Sequence, residues 1–209
     1  RNCRCKTCEQ TNIYCPGHFG HIELAVPVYY EHYISYVKGI LNCICPRCCK
    51  LLVNKNHPII KNLMKTEKNN KTKFNIIKNL VNNISVCGEK TDENNINYID
   101  GCGAKIPKFT NSKTLDFIVA RYIIKTADNK KEKEEEIFSA SDVLSIFKRI
   151  SKEDAFVLGF HEEWCLPHWL ICSVLTVVPP SVRPSVKQYN NQRTEDDLTS
   201  RYIEIIKTN

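Results

Sequence analysis

Apolar residues take alternate positions from His21 to Val28, with Ile22, Leu24, Val26 and Val28 in phase, which predicts a half-buried strand. Pro27 puts that strand at a sheet edge or near its own end. The spacing then lengthens. Tyr30, Tyr33, Ile34, Val37, Ile40 and Leu41 recur every three or four residues, a helical stripe whose tyrosines are expected in the core. A second amphipathic helix is predicted over 71–84 on Phe74, Ile77, Leu80, Val81 and Ile84. The Asn- and Lys-rich stretches 65–73 and 91–97 read as solvated loops. The mixed-sign run 130–136 reads as an exposed insertion or a helix start.

Helical periodicity returns near Ser139, where Ser141 can cap a helix carrying Val143, Leu144, Phe147 and Ile150. Ser151 and Asp154 form a capping-box pattern for a short helix that Gly159 stops. The β-rich run 170–178 predicts a buried strand ended by Pro179 and Pro180. The stretch 195–207 is helical through Leu198, Tyr202, Ile205 and Ile206. Segments of both kinds, with no repeated βαβ pattern, place the chain in the α+β class: an irregular, metal-stabilised region of helices with a small β-sheet.

Twelve cysteines in 209 residues change that picture. Cys5, Cys8, Cys15 and His18 have C-x2-C-x6-C-x2-H spacing, which suits a tetrahedral zinc site. Two intervening residues let one tight turn aim both side chains at one ion, about 2.3 Å from each sulfur. Cys45 and Cys48 supply a second C-x2-C pair, and Cys87 and Cys102, each beside a glycine, can complete a second site. Cys3, Cys43 and Cys49 flank these positions, and spacing alone does not exclude a register that uses them; His21 and His32 compete with His18. Cys165 and Cys172 read as small buried hydrophobes. Four protein ligands per ion leave no position for water or substrate, so two structural zinc ions are expected and a catalytic one is not.

Length, with 42% hydrophobic residues, allows one large domain or two small ones. The formal charge of +7 suits a phosphate-bearing partner, although ionised thiolates on zinc would reduce it. No run approaches the roughly 18 apolar residues of a membrane helix, and no signal segment opens the chain, so no membrane partner is expected. With Arg1 first and Met64 the only methionine, the chain reads as an excised fragment of a longer, intracellular protein. Its abundant Asn, Lys and Ile point to an AT-rich genome, as in some protists and large DNA viruses.

Several words of this sequence resemble, in order, the amino-terminal clamp of the largest subunit of multisubunit DNA-directed RNA polymerases. They are Cys5 to Cys8, Cys15-Pro-Gly-His-Phe-Gly-His-Ile-Glu-Leu24, Cys45 to Cys48 with Leu51 and Leu52, Phe147-Lys-Arg-Ile-Ser151, Leu158-Gly-Phe160, Trp169, Val174-Leu-Thr-Val-Val-Pro-Pro180, Val182-Arg-Pro-Ser185 and Arg193-Thr-Glu-Asp-Asp-Leu-Thr199. The details are nearer the eukaryotic, archaeal or large-virus enzymes than the bacterial ones. This chain departs from the family at Thr194 and Cys49, where glycine is frequent.

The resemblance implies a clamp that closes over DNA in the cleft, with its zinc ligands at Cys5, Cys8, Cys15 and His18 and at Cys45, Cys48, Cys87 and Cys102. It implies a clamp head over 1–110, a loop or insertion over 111–138, and a clamp core over 139–209 that leads into the lid, which parts transcript from template. Implied partners are template DNA, nascent RNA, the second-largest and smaller subunits, and transcription factors docking on the clamp. Arg183, Lys187 and Arg193 are expected to approach nucleic-acid phosphates. The family's magnesium-holding loop, Asn-Ala-Asp-Phe-Asp-Gly-Asp, does not occur here, so no catalytic residue is assigned, Mg2+ belongs to the parent enzyme only, and this fragment is expected to be inactive alone. The location implied is the nucleus for a cellular eukaryotic enzyme and the cytoplasm or virion for a viral one. The alternative is a stand-alone interaction module with a RING-like double site, whose ligands usually interleave over a shorter span.

Overall fold

A computed structural model describes residues 3–11, 13–88, 100–112, 117–125, 131–187 and 193–209. The chain folds as two compact units, one built from 1–27 with 173–209 and the other from 28–172. The loop predicted over 91–97 lies outside the described residues.

In the larger unit, α1 (Ile34–Leu41) follows a 3-10 turn over Glu31–Tyr33. Val37, Ile40 and Leu41 are buried, but Tyr30, Tyr33 and Tyr36 stand on the wetter side of the stripe at 37%, 46% and 45% exposure, contrary to their expected core role. Two more helices follow, α2 (Pro58–Thr66) and α3 (Asn70–Val81). The reading of 65–73 as loop therefore fails at both ends. The missed α2 carries a local signal: Pro58 at its first position is pre-set for a helix and needs no N–H there, while the His57 side chain accepts from Ile59 N–H. Asn69 does the same for α3 through Lys71 N–H.

Strands β2 (Lys108–Asn111), β3 (Ile118–Lys125) and β4 (Lys131–Phe138) form an antiparallel sheet in that order. The run 130–136, expected to be an insertion or helix start, is thus mostly strand. Its charged residues have no strand pattern; pairing to β3, with Glu135 opposite Arg121 and Lys133 opposite Ile123, overrides local preference. Asn42, just past α1, ties that helix to the sheet by accepting from Phe109 N–H at 2.9 Å and donating to Phe109 O at 3.3 Å.

The next helix, α4 (Ala140–Lys148), is capped by Ser139 and not by Ser141, because Asp142 at its third position completes the capping box with Ser139. Ser151 caps α5 (Lys152–Val157) by accepting from Asp154 N–H at 3.1 Å. The Asp154 carboxylate turns instead toward Leu51 N–H, at 3.4 Å. Gly159 ends that segment at φ +91°, a left-handed conformation that favours glycine. Around these elements Val37, Ile40, Leu41, Ile44, Leu52, Ile60, Ile77, Ile118, Val143, Phe147 and Leu158 form one fully enclosed core. Each such side chain contributes about 1.5–3 kcal/mol by leaving water.

In the smaller unit, β1 (Gly20–Tyr29) pairs with β5 (Ile171–Val177). The alternation in β1 changes phase after Ala25: Ile22 and Leu24 are half-buried, while Val26 and Val28 are 63% and 48% exposed. The short pair β6 (Val186–Lys187) and β7 (Arg193–Thr194) leads to α6 (Asp197–Thr208), capped by Asp196 through Leu198 N–H. Pro179 is the only buried residue among those described in this unit.

Candidate metal centres

Three of the turns that build the two centres share one hydrogen-bond pattern. In the first, Cys49 N–H donates to Cys45 O at 2.8 Å, Cys45 N–H donates to Lys50 O at 2.9 Å, and an antiparallel bridge joins Ile44 to Leu51. The second repeats it forty residues earlier: Glu9 N–H to Cys5 O at 2.8 Å, Cys5 N–H to Gln10 O at 2.9 Å, and Arg4 bridged to Thr11. In each, the residue after the second cysteine turns left-handed, Cys49 at φ +60° and Glu9 at φ +57°.

The third copy is split in sequence. Gly103 N–H donates to Cys87 O and Cys87 N–H to Ala104 O, both at 2.8 Å, and Val86 bridges Lys105. Gly103 takes the left-handed position at φ +70°. Gly88 and Gly101 stand where the two residues of a C-x2-C turn would be, and their backbones touch: a Cβ on Gly101 would lie 2.4 Å from Gly88 N. In sequence, 89–100 is therefore an insertion within a two-residue gap. Spacing could not reveal this, because the gap closes only in three dimensions.

These turns bring two sets of ligand atoms together, each within 4.8 Å: Cys5, Cys8, Cys15 and His18, and Cys45, Cys48, Cys87 and Cys102. The donors fit a tetrahedral zinc ion. Cys45 Sγ to Cys102 Sγ and Cys48 Sγ to Cys87 Sγ are each 3.6 Å, and Cys15 Sγ to His18 Nε2 is also 3.6 Å. Ligands about 2.3 Å (sulfur) and about 2.0–2.1 Å (nitrogen) from one ion, at tetrahedral angles, would stand about 3.6–3.8 Å apart. Disulfides need about 2.05 Å, so neither sulfur pair is one. Cys3, Cys43, Cys49, Cys165, Cys172, His21 and His32 lie outside both groups. Cys43 is fully buried, and burial pushes its thiol up to about 12; Cys165 is exposed, unlike the buried hydrophobe expected.

The turns also prepare the sulfurs electrically. Cys5 is lowered to about 6, first by the backbone N–H of Cys8 and then by that of Thr7, whose nitrogen lies 3.4 Å from Cys5 Sγ. At Cys102 burial pushes the thiol up, but the Ala104 N–H and hydrogen bonds with Cys45, Cys48 and Cys87 outweigh it, leaving a value of about 7. Burial raises Cys45 to about 11 and drives Cys87 upward as well. Each group draws its ligands from its own stretch of chain, without the interleaving of a RING-like pair.

A family model described as RNA polymerase Rpb1, domain 1, matches residues 1–209. The chain belongs to the Rpb1 family. It is therefore a segment of the largest subunit of a DNA-directed RNA polymerase. It is 43% identical over 211 residues to the DNA-directed RNA polymerase II subunit RPB1 of Euplotoides octocarinatus, a match covering 99% of this chain and 42% of that protein. The chain thus spans about two fifths of that relative's length.

Within this Rpb1 segment, Cys49 shows how one departure from the frequent glycine is accommodated: the turn keeps its left-handed residue and buries the thiol at 2% exposure. Thr194 is accommodated without a special turn, as part of β7 opposite Val186. The three expected phosphate contacts are placed differently from one another. Arg183 is engaged internally: Nε donates to Val178 O and Nη1 to Thr199 Oγ1, both at 3.0 Å, with the guanidinium 5.7 Å from the centre of the Tyr202 ring. Lys187 and Arg193 are exposed and directly opposite each other across β6 and β7. Like charges so paired repel, and an anion between them would relieve that.

Proposed function

We propose that this chain is the zinc-held clamp region of an RNA polymerase largest subunit, which helps to keep template DNA and the RNA–DNA hybrid in the enzyme during transcription. One coincidence carries the reading: the chain matches the Rpb1 domain over its whole length, and its eight ligand atoms gather into two groups of four. Zinc bound there would act as a cross-link, coupling an apparent binding energy of about 10–16 kcal/mol to folding. The chain's own turns supply the aim. N–H groups of Thr7, Cys8 and Ala104 favour thiolates at Cys5 and Cys102, and Gly17, at φ +87°, lets the turn before His18 approach Pro179.

Nucleotidyl transfer belongs, in this reading, to the parent enzyme. The aspartate loop and its Mg2+ lie outside this chain, which is inactive by itself. The partners are template DNA, nascent RNA, the second-largest and smaller subunits, and transcription factors that dock on the clamp. The nucleus is the site of action, as befits kinship with a polymerase II subunit, and a viral enzyme would work in the cytoplasm or virion. Lys187 and Arg193 meet phosphate, while Arg183 positions their hairpin by joining Val178 to Thr199 and Tyr202.

Replacing Lys187 and Arg193 by Ala in the assembled polymerase tests the contact. Each lost phosphate contact should reduce the slope of log affinity against log salt by about 0.9, and elongation complexes should dissociate at lower salt than the parent's. Equal salt resistance would remove the contact. Fewer than two zinc equivalents in the purified protein would remove the scaffold.

A further inference from the structure

Away from both metal groups, α2 and α5 flank a groove of about 1050 Å3 in the larger unit. Met64, Phe156 and Val157 give it an apolar floor, and Phe156 remains 58% exposed. The two walls differ in charge. On one, Lys61 and Lys65 stand four residues apart on α2, a helix with no acidic residue, and neither has an ion-pair partner among the described residues. On the other, Glu153 and Glu162 are matched by Lys55 and Lys152, which leaves Glu163 without an ion-pair partner among the described residues.

That second wall is preorganised. His161 and Cys165 exchange two backbone hydrogen bonds of 3.1 and 2.9 Å, and His161 Nδ1 accepts from Glu163 N–H at 3.2 Å. The turn so closed holds Trp164 at 77% exposure. A rigid aromatic costs little entropy to cover, and such residues anchor protein interfaces.

We propose that this groove receives an amphipathic helix of a partner protein, its carboxylates facing Lys61 and Lys65 and its apolar stripe covering Met64 and Phe156. Charge selects this occupant over a nucleic acid. A phosphate strand would carry its charges past Glu163 and over the apolar floor of Met64, Phe156 and Val157, whereas an amphipathic helix turns carboxylates to Lys61 and Lys65 and an apolar face to that floor. The inference uses the groove alone and does not rest on the polymerase reading.

The test uses the full-length, zinc-loaded protein that carries this chain. The probe is a fluorescein-labelled helical peptide with Leu at i, i+3, i+4 and i+7 and Glu on the adjoining face, followed by anisotropy. Binding is expected, weaker at high salt. Lys61→Glu combined with Lys65→Glu should weaken it about tenfold and should favour the version of the peptide with Lys in place of Glu. Phe156→Ala should weaken both versions severalfold. Zinc content and hydrogen exchange check that each variant is folded. No binding, equal affinity for the two peptides in the parent, or full displacement by single-stranded oligo-dT would overturn the proposal.

Discussion

The group formed by Cys5, Cys8, Cys15 and His18 belongs to a unit in which Pro179 is the only buried residue among those described, whereas Cys45 and Cys87 lie fully buried beside Ile40, Ile44 and Leu52. The same turn is therefore used in two energetic settings. In the smaller unit, apolar burial is too slight to offset chain entropy, so metal coordination would have to stand in for a core. Even its buried proline serves the site: a Cβ on Gly17 would lie 2.8 Å from Pro179 Cβ, and Ser181 Oγ donates to Pro16 O at 3.0 Å. In the larger unit the helices already enclose a core, and a metal would fasten the loops that carry Cys45, Cys48, Cys87 and Cys102.

Loss of a ligand from each group separates the two settings most sharply. Cys8→Ser should reduce zinc from two equivalents to one and abolish hydrogen-exchange protection in residues 20–25, because the coordination energy of about 10–16 kcal/mol exceeds what that unit can otherwise supply. Cys48→Ser should also leave one equivalent, yet protection in α1, α3 and α4 should persist. Similar global unfolding in both variants would break the comparison.

The split turn offers the next largest effect. Gly101→Ala forces a Cβ against Gly88 N at 2.4 Å and should cost about 3 kcal/mol, with zinc lost from the second group. Deleting 89–100, so that Cys87-Gly88 runs directly into Gly101-Cys102, should keep two zinc equivalents. If the deletion loses one, the inserted stretch is part of the site.

Thiol chemistry sharpens the contrast inside the second group, where Cys45 and Cys87 are buried and Cys102 is exposed. In metal-free protein at pH 8, Cys102, with its value of about 7, is mostly thiolate, while Cys45, at about 11, is almost wholly thiol. Between these two, iodoacetamide should modify Cys102 first. Because only the thiolate reacts, lowering the pH from 8 to 6 carries Cys102 through its own titration and should slow it about tenfold. Mass spectrometry of the alkylated peptides decides the order. The smallest effect is expected at Ser139→Ala, which removes one helix cap and should cost about 1 kcal/mol in denaturant melts, with both zinc equivalents retained.

The elements legible in the sequence are those whose signal is local. Alternation exposes β1, a β-rich apolar run exposes β5, and three-to-four spacing exposes α1, α3, α4 and α6. What escapes is decided by partners distant in the chain. β4 is charged almost throughout, and only its register with β3 makes it a strand. Asp154 fits half of a capping box by spacing, but Leu51 N–H lies within its reach. Arg183 has the sequence setting of a free surface cation, yet the fold closes Val178, Thr199 and Tyr202 around it.

For the metal groups the same division holds. C-x2-C spacing by itself determined that Cys5 with Cys8, and Cys45 with Cys48, would converge, because two residues close a turn whatever surrounds them. Tertiary structure alone decided that Gly88 meets Gly101, so that Cys87 and Cys102 behave as a third such pair, and that 173–209 joins the first 27 residues in one unit. The reason is range: a turn is set by dihedral angles a few bonds apart, whereas the meeting of distant segments depends on the summed packing of the chain between them.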